Sequence, residues 1–301
     1  MMKYLWLPLL ISALFACEDQ IDPTLPDADP VLSVDAWIND KPEPQVIRLT
    51  TTQPYFDNTP PPVVLGATVE VSSPQGERYV FSEDERNPGT YVWTPPSESE
   101  TLGTVGYTYQ LRIESAEGNY TAETGMSRTT PIDSITFEFL GASAFNPETY
   151  LAQLWATDSA GAGDAYWIKV DKNGESINGA GEIRLVYDGG FSRGGAADGA
   201  VFISPVRTSI NSFDQDDNDA FLPAYLPGDS IHVELHSLSD AAFDYWNQVQ
   251  IQVNRPGGFG ELFANPLANV PTNIRNTDPD GPAAVGFFNV AAVSGLGKRL
   301  D

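Results

Sequence analysis

The sequence predicts a mainly all-β protein: an N-terminal immunoglobulin-like or transthyretin-like β-sandwich, then a second β-rich domain with one substantial helix. Three observations carry this prediction. Seven short runs between Val31 and Thr124 (VLSVDAWI, QVIRLTT, GATVEVSS, ERYVFS, GTYVW, YTYQLRIES and YTAET) alternate apolar and polar residues at period two, as half-buried strands do. Turn-forming clusters such as Ser73-Pro74-Gln75-Gly76 and Glu117-Gly118-Asn119 separate them. A helical period is sustained only once, after Ser239.

The seven runs define a first domain over residues 31–130, with Trp37 and Trp93 as core or interface anchors. Its segment QPYFDNTPPP (53–62) is too rich in proline for a central strand and reads as a loop, with Tyr55 and Phe56 either packed under it or presented to a partner. The second domain, 131–301, opens after Thr129-Thr130-Pro131. ITFEFL and TYLAQLWATD alternate, AYWIKVDKNGE reads as a strand entering a turn, and EIRLVYD and AVFISPV follow. Between the last two, DGGFSRGGAADG (188–199) is a glycine-rich loop carrying Phe191. In DSIHVELHSL (229–238), Ile231, Val233 and Leu235 take one face of a strand and His232, Glu234 and His236 the other.

A helix is expected over 239–254. Ser239 is its cap, Asp240 suits its first turn, and Leu238 with Phe243 has the spacing of a hydrophobic staple. Phe243, Trp246, Val249 and Val253 continue an apolar face until Arg255-Pro256-Gly257-Gly258 stops it. The segment from Gly258 to Pro282, which contains Phe259, is loop-like, and AVGFFNVAAV (284–293) is a last strand expected to complete a sheet begun much earlier.

The amino terminus is of a different kind. Met1 to Lys3 give a positive start and Tyr4 to Ala16 an apolar stretch, too short to span a bilayer and suited to an export signal over residues 1–16. Leu14-Phe15-Ala16-Cys17 is similar to the lipobox of bacterial lipoproteins, so Cys17, the sole cysteine, is expected to carry lipid. Two or more acyl chains anchor stably where one is marginal. Residues 17–30, acidic and proline-containing, form a solvated linker.

The formal charge of −25 excludes nucleic acid as a partner, because phosphate binding needs a basic surface to release counterions. The 41% of apolar residues suffices to bury cores. No residue is assigned a catalytic role and no cofactor is expected: Gly295-Leu296-Gly297-Lys298 lacks P-loop spacing. The HVELH run is not a zincin motif, since on a strand its histidines stand about 13 Å apart, and it reads as a solvated polar face. Asp214, Asp216 and Asn218 begin a calcium-loop pattern that Asp219 and Tyr225 break, which favours a solvated acidic loop over a metal site.

The order of these features, with VLSVDAWIND, TTTQPYFDNTPPPVVLGATVEV, PIDSITFEF, LPGDSIHVELHSLSDAAFDYWNQVQIQ and FANPLANVPTNIRN, resembles the DUF 4249 family of Bacteroidota outer-membrane lipoproteins over nearly the whole mature chain. The resemblance implies a lipid-anchored outer-membrane protein acting beside a β-barrel of the TonB-dependent-receptor type, and supplies no catalytic residues. Acids after the cysteine, here Glu18, Asp19 and Asp22, imply export to the cell surface. The expected function is therefore an accessory lipoprotein serving nutrient capture or outer-membrane protein assembly. The alternative is stand-alone capture of a glycan or peptide, with Tyr55, Phe56, Phe191 or Phe259 as stacking platforms. An uncharacterised hydrolase is a third reading, for which no nucleophile, base and orienter can be named.

Overall fold

The computed structural model describes residues 28–54, 57–143, 147–177, 179–212, 214–217, 220–255 and 269–301. All seven predicted N-terminal runs are strands: β1 (Leu32–Asn39), β2 (Gln45–Thr51), β3 (Thr68–Ser72), β4 (Arg78–Glu83), β5 (Thr90–Trp93), β6 (Thr108–Ser115) and β7 (Gly118–Gly125). Their order resolves the sandwich type. β1, β2 and β5 follow one another on one side and β3, β6 and β7 on the other, and β4, paired with both β5 and β3, links them into one continuous sheet around a shared core, a strand order of the immunoglobulin-like kind. Alternation does what the pattern requires, with Tyr109, Leu111 and Ile113 of β6 buried between exposed neighbours. Tyr109 also closes a tyrosine corner, its phenol oxygen accepting the Thr104 N–H at 2.7 Å. Trp93 leans on this core beside Tyr79, at 5.1 Å between ring centroids.

Two late segments extend the sandwich, so the chain after residue 130 does not form one uninterrupted second unit. β14 (Arg275–Asn276) adds to β7, and β15 (Ala284–Ala291) runs parallel to β1 in register over its full length. The expectation that the last apolar run completes an early sheet is met by β15. Gly286 makes the fit possible. It sits at φ +92° opposite Val34, where a Cβ would fall 2.0 Å from the Val34 carbonyl oxygen. Asn273 then joins the two sides: its amide donates to Phe288 O (2.8 Å) on β15 and Glu123 O (3.1 Å) on β7, and accepts from Phe288 N (3.0 Å).

The second unit has its own core. β8 (Ile132–Leu140) and β9 (Thr149–Ala156) form a hairpin packed on a sheet of β10 (Ala165–Lys172), β13 (Ser230–Leu238) and β16 (Val293–Arg299). β11 (Glu175–Ser176) and β12 (Arg184–Tyr187) both pair with β10 along its other edge. The strand-into-turn reading of AYWIKVDKNGE holds, with Asn173 and Gly174 both at positive φ.

Two readings are corrected. AVFISPV is not a strand: after one bridge from Val201 to Thr157 it enters a short helix, α1 (Ser204–Thr208), because Pro205 suits a first helical turn and cannot donate to a ladder. β16 was hidden by its two glycines. Gly295 and Gly297 lie opposite Glu234 and His232, and a Cβ at either would come within 3.4 Å of the His232 ring, so their lack of a side chain makes room for it. β15 and β16 are separated by one residue, so a single extended stretch crosses from the first sheet to the second.

Candidate functional site

The helix α2 (Asp240–Val253) begins where expected, with Ser239 capping it through a bond from the Ala242 N–H at 3.2 Å. Leu238 and Phe243 are both buried in one cluster, as a staple requires. Its apolar face differs from the expected one. Ala242, Phe243, Tyr245 and Trp246 meet the protein, while Val253 is 46% exposed, because the last turns run past the edge of the sheet beneath.

This first half of α2 completes an aromatic junction between the two units. Trp37 of β1 points away from the sandwich core and stacks on Phe287 of β15 at 5.6 Å. It meets Trp246 at 5.0 Å, Tyr245 at 5.7 Å and Trp167 of β10 at 5.8 Å. Trp167 and Trp246 are themselves 4.4 Å apart. Trp37 is thus an interface anchor, and Trp93 packs on the sandwich core.

An ionic cluster adjoins the aromatics on the same face of β10 and β13. Glu234 accepts from Lys41 Nζ at 2.6 Å, reaching across from the sandwich, and is hydrogen-bonded to His236 Nε2 at 2.8 Å and His232 Nε2 at 3.3 Å. His236 is 5% exposed beside Trp167, which corrects the reading of HVELH as a wholly solvated face: the aromatic junction covers that end of the strand. The hydrogen bond from His236, with help from Lys41, holds the Glu234 carboxyl well below the usual carboxylate range against the opposing cost of burial. Burial pushes His236 down despite Glu234. Lys169 stands opposite Glu234 in the β10–β13 register, with its ammonium 4.4 Å from the Trp167 ring centre, and desolvation lowers its pKa as well.

Beside this cluster, the path from β11 to β12 bulges into a 3-10 turn, Ala180–Glu182. Arg184, itself buried, fixes the turn by donating to the backbone oxygens of Glu182, Ile177 and Ser209 and pairing with the Glu182 carboxylate. The turn props the edge open. A cavity of about 380 Å³ lies between it and α2, lined by Trp167, Lys169, Ile177, Ile183, Trp246 and Val253 among others. A second hollow of about 580 Å³ opens on its other side, where Phe191 and Phe243 face the polar side chains of Asn211, Asn247 and Gln250.

A third feature stands apart. Phe139 and Leu140 at the end of β8 and Phe221, Leu222 and Leu226 of the following loops are all exposed. Leu140, Phe221 and Leu222 line a shallow groove of about 360 Å³, and Phe139 rests on Tyr150 at 5.1 Å.

Of the residues singled out from sequence, Cys17, Glu18, Asp19, Asp22, Tyr55, Phe56, Phe259 and Asn218 lie outside the described residues. Phe191 is 53% exposed at the rim of the second hollow. Within the described part of the acidic run, Asp214 accepts from the Ser212 hydroxyl, Asp216 accepts from Ala220 N at 3.0 Å, and Gln215 bridges to Phe221. Among the described residues no group of three His, Cys, Asp or Glu side chains is placed to hold a metal ion. Sequence reading passed over Trp167, Lys169 and Glu234 as site residues. Their signal was the polar face of YWIKVDK alternating with a buried one, opposite a second strand of the same kind.

A family model described as a domain of unknown function, DUF4249, matches residues 18–295, starting at the residue after Cys17. A search of curated proteins finds no match.

Proposed function

The chain belongs to the DUF4249 family, and from that premise we propose that it is a lipid-anchored outer-membrane protein, facing the cell exterior, that acts without catalysis as an accessory to a TonB-dependent-receptor-like β-barrel. It serves nutrient capture or outer-membrane protein assembly. Cys17 carries the lipid, the acidic linker up to residue 30 spaces the folded part from the membrane, and Glu18, Asp19 and Asp22 direct export to the surface.

The observation that carries the partner contact is the groove lined by the exposed Leu140, Phe221 and Leu222. Exposed apolar residues gathered in one patch lose free energy to water unless a partner covers them, and interface centres are apolar and aromatic. The junction of Trp37, Trp167, Tyr245 and Trp246 supports the same reading, because it ties the sandwich to the unit that bears the patch. The test is recovery of the tagged lipoprotein from gently solubilised membranes. A barrel should accompany the wild-type chain and be lost from the variant Phe221→Ser, Leu222→Ser. Recovery of the lipoprotein alone, or of the barrel with both chains equally, overturns the proposal.

A second reading, direct glycan or peptide capture, is favoured by the hollow in which Phe191 and Phe243 stand among Asn211, Asn247 and Gln250, since a ring face beside amide side chains suits a hydroxylated ligand. Calorimetry of the chain against glycan and peptide panels tests it, and the absence of heat from every member rejects it.

A further inference from the structure

We propose that the cavity beneath α2 binds a small carboxylate with an apolar, ring-sized body, Lys169 meeting the charge and Trp167 and Trp246 walling the body. This inference does not rest on association with a barrel. The cavity, about 380 Å³, is of the size of small-ligand pockets, and its walls are mostly apolar. Among the described residues two charged side chains line it, Lys169 and Glu182.

Their situations differ. The Glu182 carboxylate is already held by Arg184. The Lys169 ammonium, among the described residues, forms no ion pair; it rests on the face of Trp167, and Glu234, Asp35 and Glu43 act on it only at longer range. The acid opposite it, Glu234, is engaged by Lys41, His232 and His236. A half-buried ammonium without a direct ion pair, set against apolar walls, selects for an anion whose remainder is apolar. A cationic ligand is disfavoured by Lys169, and a neutral one leaves the ammonium as it was. Val253, lining the cavity while remaining exposed, marks the open side.

Titration calorimetry of the full chain at pH 7.5, with 2-naphthoate and its neutral counterpart 2-naphthamide as probes, tests this. The naphthoate should bind saturably at one site and at least tenfold more tightly than the amide. Lys169→Met, which keeps most of the stem, should remove that preference, and Lys169→Arg should retain it. Val253→Trp changes an exposed residue, so it tests the location even where a Lys169 variant folds poorly, and it should abolish binding of both probes. Equal binding of naphthoate and naphthamide by the wild-type chain, no saturable binding of naphthoate, or unchanged affinity in Val253→Trp overturns the proposal.

Discussion

Replacing Glu234 by alanine probes how the two units are held together, and its cost follows from what each partner loses. Lys41 is about one third exposed and keeps Glu43 at 3.3 Å, so it rehydrates, and its loss is on the surface scale of up to ~1 kcal/mol. His236 is 5% exposed and cannot rehydrate. Its ring nitrogen, left without the acceptor at 2.8 Å, costs about 1–3 kcal/mol. His232 is exposed and its 3.3 Å contact adds little. We therefore expect Glu234→Ala to lose about 3 kcal/mol, and Glu234→Gln less because its amide oxygen still serves Lys41. Urea unfolding followed by tryptophan fluorescence reads this as a lower midpoint at unchanged slope. The same cluster sets a pH dependence. Because burial depresses folded His236 below its ordinary 6.5, the unfolded chain binds more protons there, and stability falls as pH drops below about 6.5. Glu234 acts in a lower window: its contribution is complete above its ordinary 4.5 and is lost as pH falls toward its depressed folded value. His236→Asn should remove the upper fall and weaken the lower, because the His236 bond is the chief cause of the Glu234 shift. A loss under about 0.5 kcal/mol in Glu234→Ala, or an upper fall unchanged in His236→Asn, would refute the reasoning.

Asn273→Ala removes the three hydrogen bonds by which its amide bridges β15 and β7 and should cost about 2–3 kcal/mol, with amide exchange rising first in those strands. Gly286→Ala forces a Cβ onto the Val34 backbone at positive φ; a loss above about 3 kcal/mol is expected in urea unfolding, and a neutral result would mean that β15 is not seated against β1. Arg128→Met leaves Asp164, held at 2.6 Å, buried without its cation, for a cost of about 3 kcal/mol by thermal or urea unfolding, while Asp164→Asn in the same background should recover part of it.

Much of the sandwich was legible because each of its strands has one wet and one dry face, so β6 reads Tyr109, Leu111, Ile113 inward without any knowledge of its neighbours. The α2 helix was equally legible, since Ser239, Leu238 and Phe243 state their roles within a few residues of one another. The candidate site was not. Trp167, Lys169 and Glu234 sit on strands whose second face is polar, and a polar face looks the same to local pattern whether water or another domain covers it. Val253 was misassigned for a related reason: helical period fixes which side it lies on, and only the extent of the sheet beneath fixes whether anything is there to bury it.

By itself the sequence determined the class of fold, the order of its strands along the chain and the capped start of its helix, all properties of periods and turns spanning fewer than ten residues. Tertiary structure alone decided that β15 joins β1 from more than 240 residues away, that Lys41 finds Glu234, and that Trp37, Trp167 and Trp246 meet beside a cavity. Those contacts depend on which faces are brought together, a choice made by the summed burial of whole sheets and carried by no local pattern.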